Sequence, residues 1–187
     1  MRKIFQDALV ESSVIAAIKS DEGLQRCLKS ESRIIFILYG DICNISDIVS
    51  KVKKSGKIAL VHVDLINGLS SREIVVDFIK KYTSADGIIT TKPALIKRAK
   101  ELSLCTVLRI FALDSMAYEN IERQVRSAGP DVIEVLPGMM PKIIAHICRQ
   151  IPTPVIAGGL VSEKRDAVEL LNAGAICVST TNSGLWK

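Results

Sequence analysis

The chain has 187 residues, 25 lysines and arginines against 20 acids (formal charge +5), 48% hydrophobic residues and only 4% aromatics. No apolar run approaches the roughly 20 residues that a membrane-spanning helix needs. So few aromatics argue against a base-stacking platform for single-stranded nucleic acid, while the mild basic excess suits a phosphorylated ligand or an RNA backbone.

The opening residues, Met1-Arg2-Lys3-Ile4-Phe5-Gln6-Asp7, hold no signal-peptide core, and the chain reads as a soluble cytoplasmic protein. A helix at 4–9 precedes a first strand at 14–18 and a short helix at 23–28. A second strand at 33–39 leads to a helix at 45–54, and a third at 58–64 to a helix at 72–82. The fourth strand, 87–90, is followed by a helix at 93–102 with Pro93 in its first turn, where the missing N–H costs nothing. The fifth strand spans 105–111, after which Asp114-Ser115 reads as the cap of a helix running to 127. A sixth strand at 131–136 leads to a helix at 141–149, and a seventh at 155–157 to a helix at 163–173 closed by Gly174. An eighth strand at 176–178 ends in Ser179, Thr180 and Thr181.

No two neighbouring strands are joined by a hairpin-length turn. Repeated strand–helix units of this kind demand a parallel sheet with right-handed crossovers. Eight of them predict a compact TIM-type (β/α) barrel of parallel strands with minimal loops, in one domain over residues 1–187, because such barrels usually take about 250 residues. The rival is an open doubly wound sheet, which would normally carry a Gly-x-Gly-x-x-Gly turn after its first strand; none is present. The five cysteines are scattered, without a Cys-x-x-Cys pair, and read as buried reduced thiols.

Ligands of such a fold bind at the carboxyl ends of the strands. Gly158-Gly159 at the end of the seventh strand and Ser179-Thr180 at the end of the eighth are expected to cradle a phosphate, with Gly138 on the loop after the sixth. Glycines admit a close approach, and hydroxyls and amides supply donors. Other strand ends contribute His62, Asp64, Lys92, Arg109 and Glu134, expected to line one polar floor. Arg109 and Glu134, on neighbouring strands, also read as a buried ion pair, and His62 as a core histidine hydrogen-bonded to Asp64. His62, Asp64 and Glu134 could alternatively bind a divalent ion, but His-x-Asp spacing is a weak signal, so no metal is assigned. Lys92 also resembles a Schiff-base position. Basic residues crowd at Lys51, Lys53, Lys54 and Lys57, and at Lys92, Lys97, Arg98 and Lys100; each group is a solvated face or an RNA-contacting stripe.

Several segments together resemble a known family: His62-Val63-Asp64-Leu65-Ile66-Asn67-Gly68-Leu69-Ser70, Asp86-Gly87-Ile88-Ile89-Thr90-Thr91-Lys92-Pro93, Arg109-Ile110-Phe111-Ala112-Leu113-Asp114-Ser115 and Pro130-Asp131-Val132-Ile133-Glu134-Val135-Leu136-Pro137-Gly138. Pro141-Lys142, Ile156-Ala157-Gly158-Gly159-Leu160, Ala173-Gly174-Ala175, Val178-Ser179-Thr180 and Leu185-Trp186 follow in the same order. On these the chain is similar to the glycerol-uptake operon antiterminators. The resemblance implies a barrel that senses glycerol 3-phosphate and binds a leader messenger RNA to prevent premature termination, with no cofactor and no membrane, as a regulator and not an enzyme. A homo-oligomer is a further expectation. The alternative is a phosphate-ligand barrel enzyme (isomerase, lyase or phosphodiesterase) using His62, Asp64 and Glu134. Leu108 stands where relatives often carry Gln, which is expected to remove one polar contact, Thr90 stands in place of Ser, and residues 39–46 match poorly.

Overall fold

The computed structural model describes residues 3–112 and 114–187. Eight parallel strands close into a barrel in sequence order: β1 (Val14–Ile18), β2 (Ile34–Ile37), β3 (Ile58–His62), β4 (Gly87–Thr90), β5 (Cys105–Phe111), β6 (Val132–Leu136), β7 (Val155–Gly158) and β8 (Cys177–Thr180). β8 returns to pair with β1 through Val14↔Val178 and Ala16↔Thr180, so no sheet edge is left open. The open doubly wound alternative is thereby overturned.

Helices α1 (Lys3–Glu11), α2 (Asp21–Lys29), α3 (Ile45–Lys54), α4 (Ile74–Tyr82), α5 (Pro93–Glu101), α6 (Ser115–Glu119), α7 (Ile121–Ala128), α8 (Pro141–Gln150) and α9 (Lys164–Asn172) complete the fold. β3 stops at His62, two residues before the expected end, because the chain turns into a 3₁₀ helix, η1 (Val63–Leu65), that carries Asp64. The single helix expected after β5 is two, α6 and α7, divided at Asn120. α6 begins at the expected Asp114-Ser115, with Asp114 in the cap position; the Ser115 side chain lies outside the described residues. β8 runs on into Ser179 and Thr180, which places both hydroxyls on the barrel itself. A second 3₁₀ turn, η2 (Ser183–Leu185), follows.

The strands are apolar on both faces because both are covered, as parallel sheets require. Alternate residues point inward: Ile15, Phe36, Leu60, Ile89, Val107, Val132 and Ile156 fill the lumen. Their neighbours Val61, Ile88, Ile133 and Val135 face outward, into two cores packed beneath the helices. Phe5, Ala8 and Leu9 of α1 are fully buried in the lumen cluster, and the Cys177 thiol donates to the Leu9 carbonyl at 3.1 Å and the Ser12 carbonyl at 2.9 Å. α1 therefore plugs the amino-terminal mouth. The inward-facing strand rows turn polar only toward the carboxyl-terminal mouth, at His62, Arg109, Glu134 and Ser179.

Candidate functional site

Arg109 and Glu134 lie opposite each other in the β5–β6 register and continue the inward-facing rows begun by Cys105, Val107 and Val132. Glu134 accepts from Arg109 Nε through Oε2 at 2.6 Å and from the Ser179 hydroxyl through Oε1 at 2.5 Å. Its carboxylate thus spans from β5 to β8 across β7. The crossing works only because β7 presents Gly158 there: a Cβ at that position would fall 2.3 Å from Ser179 Oγ and 2.7 Å from Glu134 Oε1. Arg109, Glu134 and Ser179 are all buried. A buried ion pair is tolerated when both partners are held by further hydrogen bonds, and losing one partner costs about 3–5 kcal/mol.

Above this bridge lies a cavity of about 520 Å³. Arg109, Glu134 and Ser179 form part of its floor, Leu38, Leu136 and Leu160 its apolar wall, and Thr180, Thr181 and Asn182 its lip. Among the described residues, Arg109 spends only Nε on the protein; its two Nη groups make no hydrogen bond, and the residue lines the cavity.

The expected cradle residues play unequal parts. Gly159 lines the cavity and holds φ +78°, followed by Leu160 at φ +62°, a left-handed pair that turns the chain over the rim. Gly138 donates its amide to the Gly158 carbonyl at 2.5 Å, bracing the turn from behind and standing outside the cavity lining. The Thr180 hydroxyl donates to the Val161 carbonyl at 2.7 Å and accepts from the Asn182 amide at 3.0 Å. At the start of α9, Asp166 accepts from the amides of Ser162 and Glu163, both at 2.9 Å. Asp166 and Glu163 thus form a capping box that closes the start of α9.

Asp64 and Lys92 form a separate cluster rather than part of one floor. Asp64 accepts from the Thr90 hydroxyl at 3.0 Å, the Thr91 amide at 2.7 Å and hydroxyl at 3.0 Å, and Lys92 Nζ at 3.2 Å. Burial pushes its pKa up, but the donors from Thr91, Thr90 and Lys92 outweigh burial and hold it below the usual carboxylate value. Lys92 Nζ also donates to Ser71 at 2.8 Å. A lysine whose Nζ is bound to a carboxylate and a hydroxyl is not placed like the desolvated amine that Schiff-base chemistry uses. His62 stands between the two clusters, buried, with Nδ1 lacking a hydrogen bond and 4.0 Å from Asp64 Oδ2, so the expected His62–Asp64 hydrogen bond is not made. Burial, then the nearby Arg109 charge, pushes its pKa down to about 4. Among the described residues no trio of His, Cys, Asp or Glu is placed to hold a metal ion.

Sequence reasoning missed the apolar wall, since Leu38 and Leu136 look like ordinary strand ends. It also missed Asn182, which ties the lip together by donating to the Ser162 carbonyl at 2.7 Å and accepting from the Gly184 amide at 3.0 Å. An Asn directly after a strand and before a Gly-containing turn is the signal that could have found it. Leu108, expected to remove a polar contact, packs outward with Ile133 in the core beneath the helices, away from the cavity.

Residues 14–186 match the family described as "Glycerol-3-phosphate responsive antiterminator". An uncharacterised Escherichia coli (strain K12) protein, YgcP, is 46% identical over 178 residues, covering 95% of this chain and 93% of its own. The crystal structure of a glycerol uptake operon antiterminator regulatory protein from Listeria monocytogenes str. 4b F2365 superposes with a TM-score of 0.90 at 31% identity, over 93% of this chain and 94% of that one. A glycerol uptake operon antiterminator-related protein from Thermotoga maritima MSB8 gives 0.83 at 37% identity, over 94% and 98%.

Proposed function

The chain belongs to the glycerol-3-phosphate responsive antiterminator family, and from that premise we propose that it is a cytoplasmic regulator whose cavity takes glycerol 3-phosphate and whose ligand-bound form grips a leader RNA of glycerol genes. The observation that carries this reading is Arg109. Its guanidinium is braced at Nε by a buried carboxylate and offers Nη1 and Nη2 at a cavity of about 520 Å³. A planar fork of this kind suits the oxygens of a phosphate. The phosphate rests against Arg109, the Gly159 turn and the Thr180–Thr181 lip, and the glyceryl hydroxyls meet Glu134 and Ser179. Gly158 and Gly138 shape the site from behind, and Asp64, Lys92 and His62 support its flank.

The alternative of an enzyme finds less support. Glu134 is held at both oxygens, Lys92 is ion-paired, and among the described residues no metal-holding trio adds to them. We expect no turnover of glycerol 3-phosphate, dihydroxyacetone phosphate or glycerophosphodiesters. A rate well above background that vanishes in Glu134→Gln and His62→Asn establishes the enzyme instead. Self-association in the ligand-bound state is part of the same proposal and is read by sedimentation with and without ligand.

Calorimetry tests the site directly. Gly159→Val puts a branched side chain at φ +78°, 3.2 Å from Leu136 Cδ2 at its Cβ alone. It should weaken glycerol 3-phosphate binding at least tenfold, about 1.4 kcal/mol. Arg109→Lys, which keeps the charge and loses the fork, should do the same. Unchanged dissociation constants in both folded variants overturn the site.

A further inference from the structure

We propose that the RNA backbone lies along the carboxyl-terminal ends of α2, α3 and α4, at the end of the barrel opposite the ligand cavity. This rests on the RNA-binding reading above and adds the surface. Every crossover helix runs antiparallel to the strands, so helix carboxyl termini gather at the barrel's amino-terminal end. Basic residues there complement the helix dipole, a sufficient explanation where they are spread evenly. Here they are not. The last turns of α2 to α5 carry at least two bases each, whereas α7 and α8 carry one each, Arg126 and Arg149, and α9 none.

Internal partners then divide this one-sided group. Lys53 is bound to Asp86, Arg98 to Asp77 and Glu101, Lys100 to the Gly129 carbonyl, and Arg26 to Glu22. Lys57, just beyond α3, donates to the carbonyls of Ser30 and Ser32. With Lys92 held by Asp64, five of the eight cluster residues legible in the sequence are therefore structural. Lys29, Lys51, Lys54, Lys80 and Lys81 remain, all exposed and, among the described residues, without a hydrogen bond or ion pair. Lys81 alone has a side-chain neighbour of note, the Tyr82 ring at 5.1 Å. Of the acids on this end, Asp86, Glu11 and Glu101 are each held by a base and Asp131 accepts from Thr106, leaving Asp7 on α1 and Glu31 exposed. Five unspent cations on three neighbouring helices, set about 10 Å apart, make a row that fits a chain of phosphates, and the exposed Tyr82 ring beside Lys81 offers a single stacking surface rather than a platform for successive bases.

The test is fluorescence anisotropy with a labelled glycerol-operon leader transcript, ligand present, at several salt concentrations. Two double variants, Lys51→Gln with Lys54→Gln and Lys80→Gln with Lys81→Gln, are compared with Arg149→Gln on the far flank. Each double variant should weaken RNA binding at least fivefold and flatten the salt dependence by about 0.7 in log–log slope per lost phosphate contact. Arg149→Gln should change neither, and calorimetry should show glycerol 3-phosphate binding unaltered in all three. If wild type binds RNA and the double variants match it, the surface is wrong while the regulatory reading stands. If wild type binds glycerol 3-phosphate but no RNA at any salt, the reading beneath fails and the surface with it. Tighter binding to phosphatidylserine vesicles than to the transcript makes the row a membrane contact and also overturns the proposal.

Discussion

At the scale of single residues, Gly158 shows how a position that looks like a phosphate cradle serves a carboxylate instead. Its missing Cβ lets Glu134 reach Ser179. Gly158→Ala should destabilise the fold by about 1–3 kcal/mol, the cost of overpacking. Ser179→Ala removes the atom that collides most closely, so the double variant should lose less than the sum of the two, measured by urea unfolding in a double-mutant cycle. Simple additivity would show that the bridge does not pass over Gly158. His62 sets a pH dependence. Its folded pKa, about 4, lies below the unfolded value of 6.5, so the unfolded chain takes up the proton first as the pH falls. Its contribution is whole above pH 6.5 and is lost on the way down to about 4, amounting to about 3 kcal/mol. Wild type should therefore lose about that much more stability than His62→Gln over this range, and parallel pH profiles would sink the assignment.

At the scale of elements, α1 is the plug. Phe5 is fully buried at the lumen's floor, and Phe5→Ala should cost about 3–5 kcal/mol in denaturant unfolding. The dissociation constant for glycerol 3-phosphate should not move, because the cavity lies at the other mouth. The strand–helix alternation was legible because period and length separate buried strands from amphipathic helices, and strands such as Cys105–Phe111 matched to the residue. What failed did so for local reasons. β3 ends early because η1 begins at Val63, setting the Asp64 carboxylate against the hydroxyls of β4, and such a contact has no signature along the chain. The pairing of Arg109 with Glu134 was legible from neighbouring strands, while the division of the polar floor into two clusters was not. Which donors surround a carboxylate depends on the barrel's register, and so does which lysines are already spent, as Lys53 on Asp86 shows.

At the scale of the whole molecule, the proposed regulation requires that ligand and RNA be coupled through binding free energies, in which case each tightens the other by the same factor, expected at roughly 5- to 150-fold. Titrating the transcript with and without glycerol 3-phosphate measures one side of that equality and calorimetry with and without RNA the other; unequal factors, or none, reject the mechanism. The plugged amino-terminal mouth bears on kinetics as well. With Phe5, Ala8 and Leu9 stoppering the lumen, the proposed ligand has its way in and out across the lip at Thr180–Asn182. A polyanion seated at the stoppered end leaves that doorway clear. The two partners should then add in either order, and ligand should be exchangeable inside an intact complex: chasing radiolabelled glycerol 3-phosphate with unlabelled compound should release it no more slowly than the coupling factor allows, well before the transcript lets go. A cell losing its glycerol 3-phosphate would in that case reset each regulator in place, at the pace of a metabolite leaving a cup and not of an RNA leaving a protein.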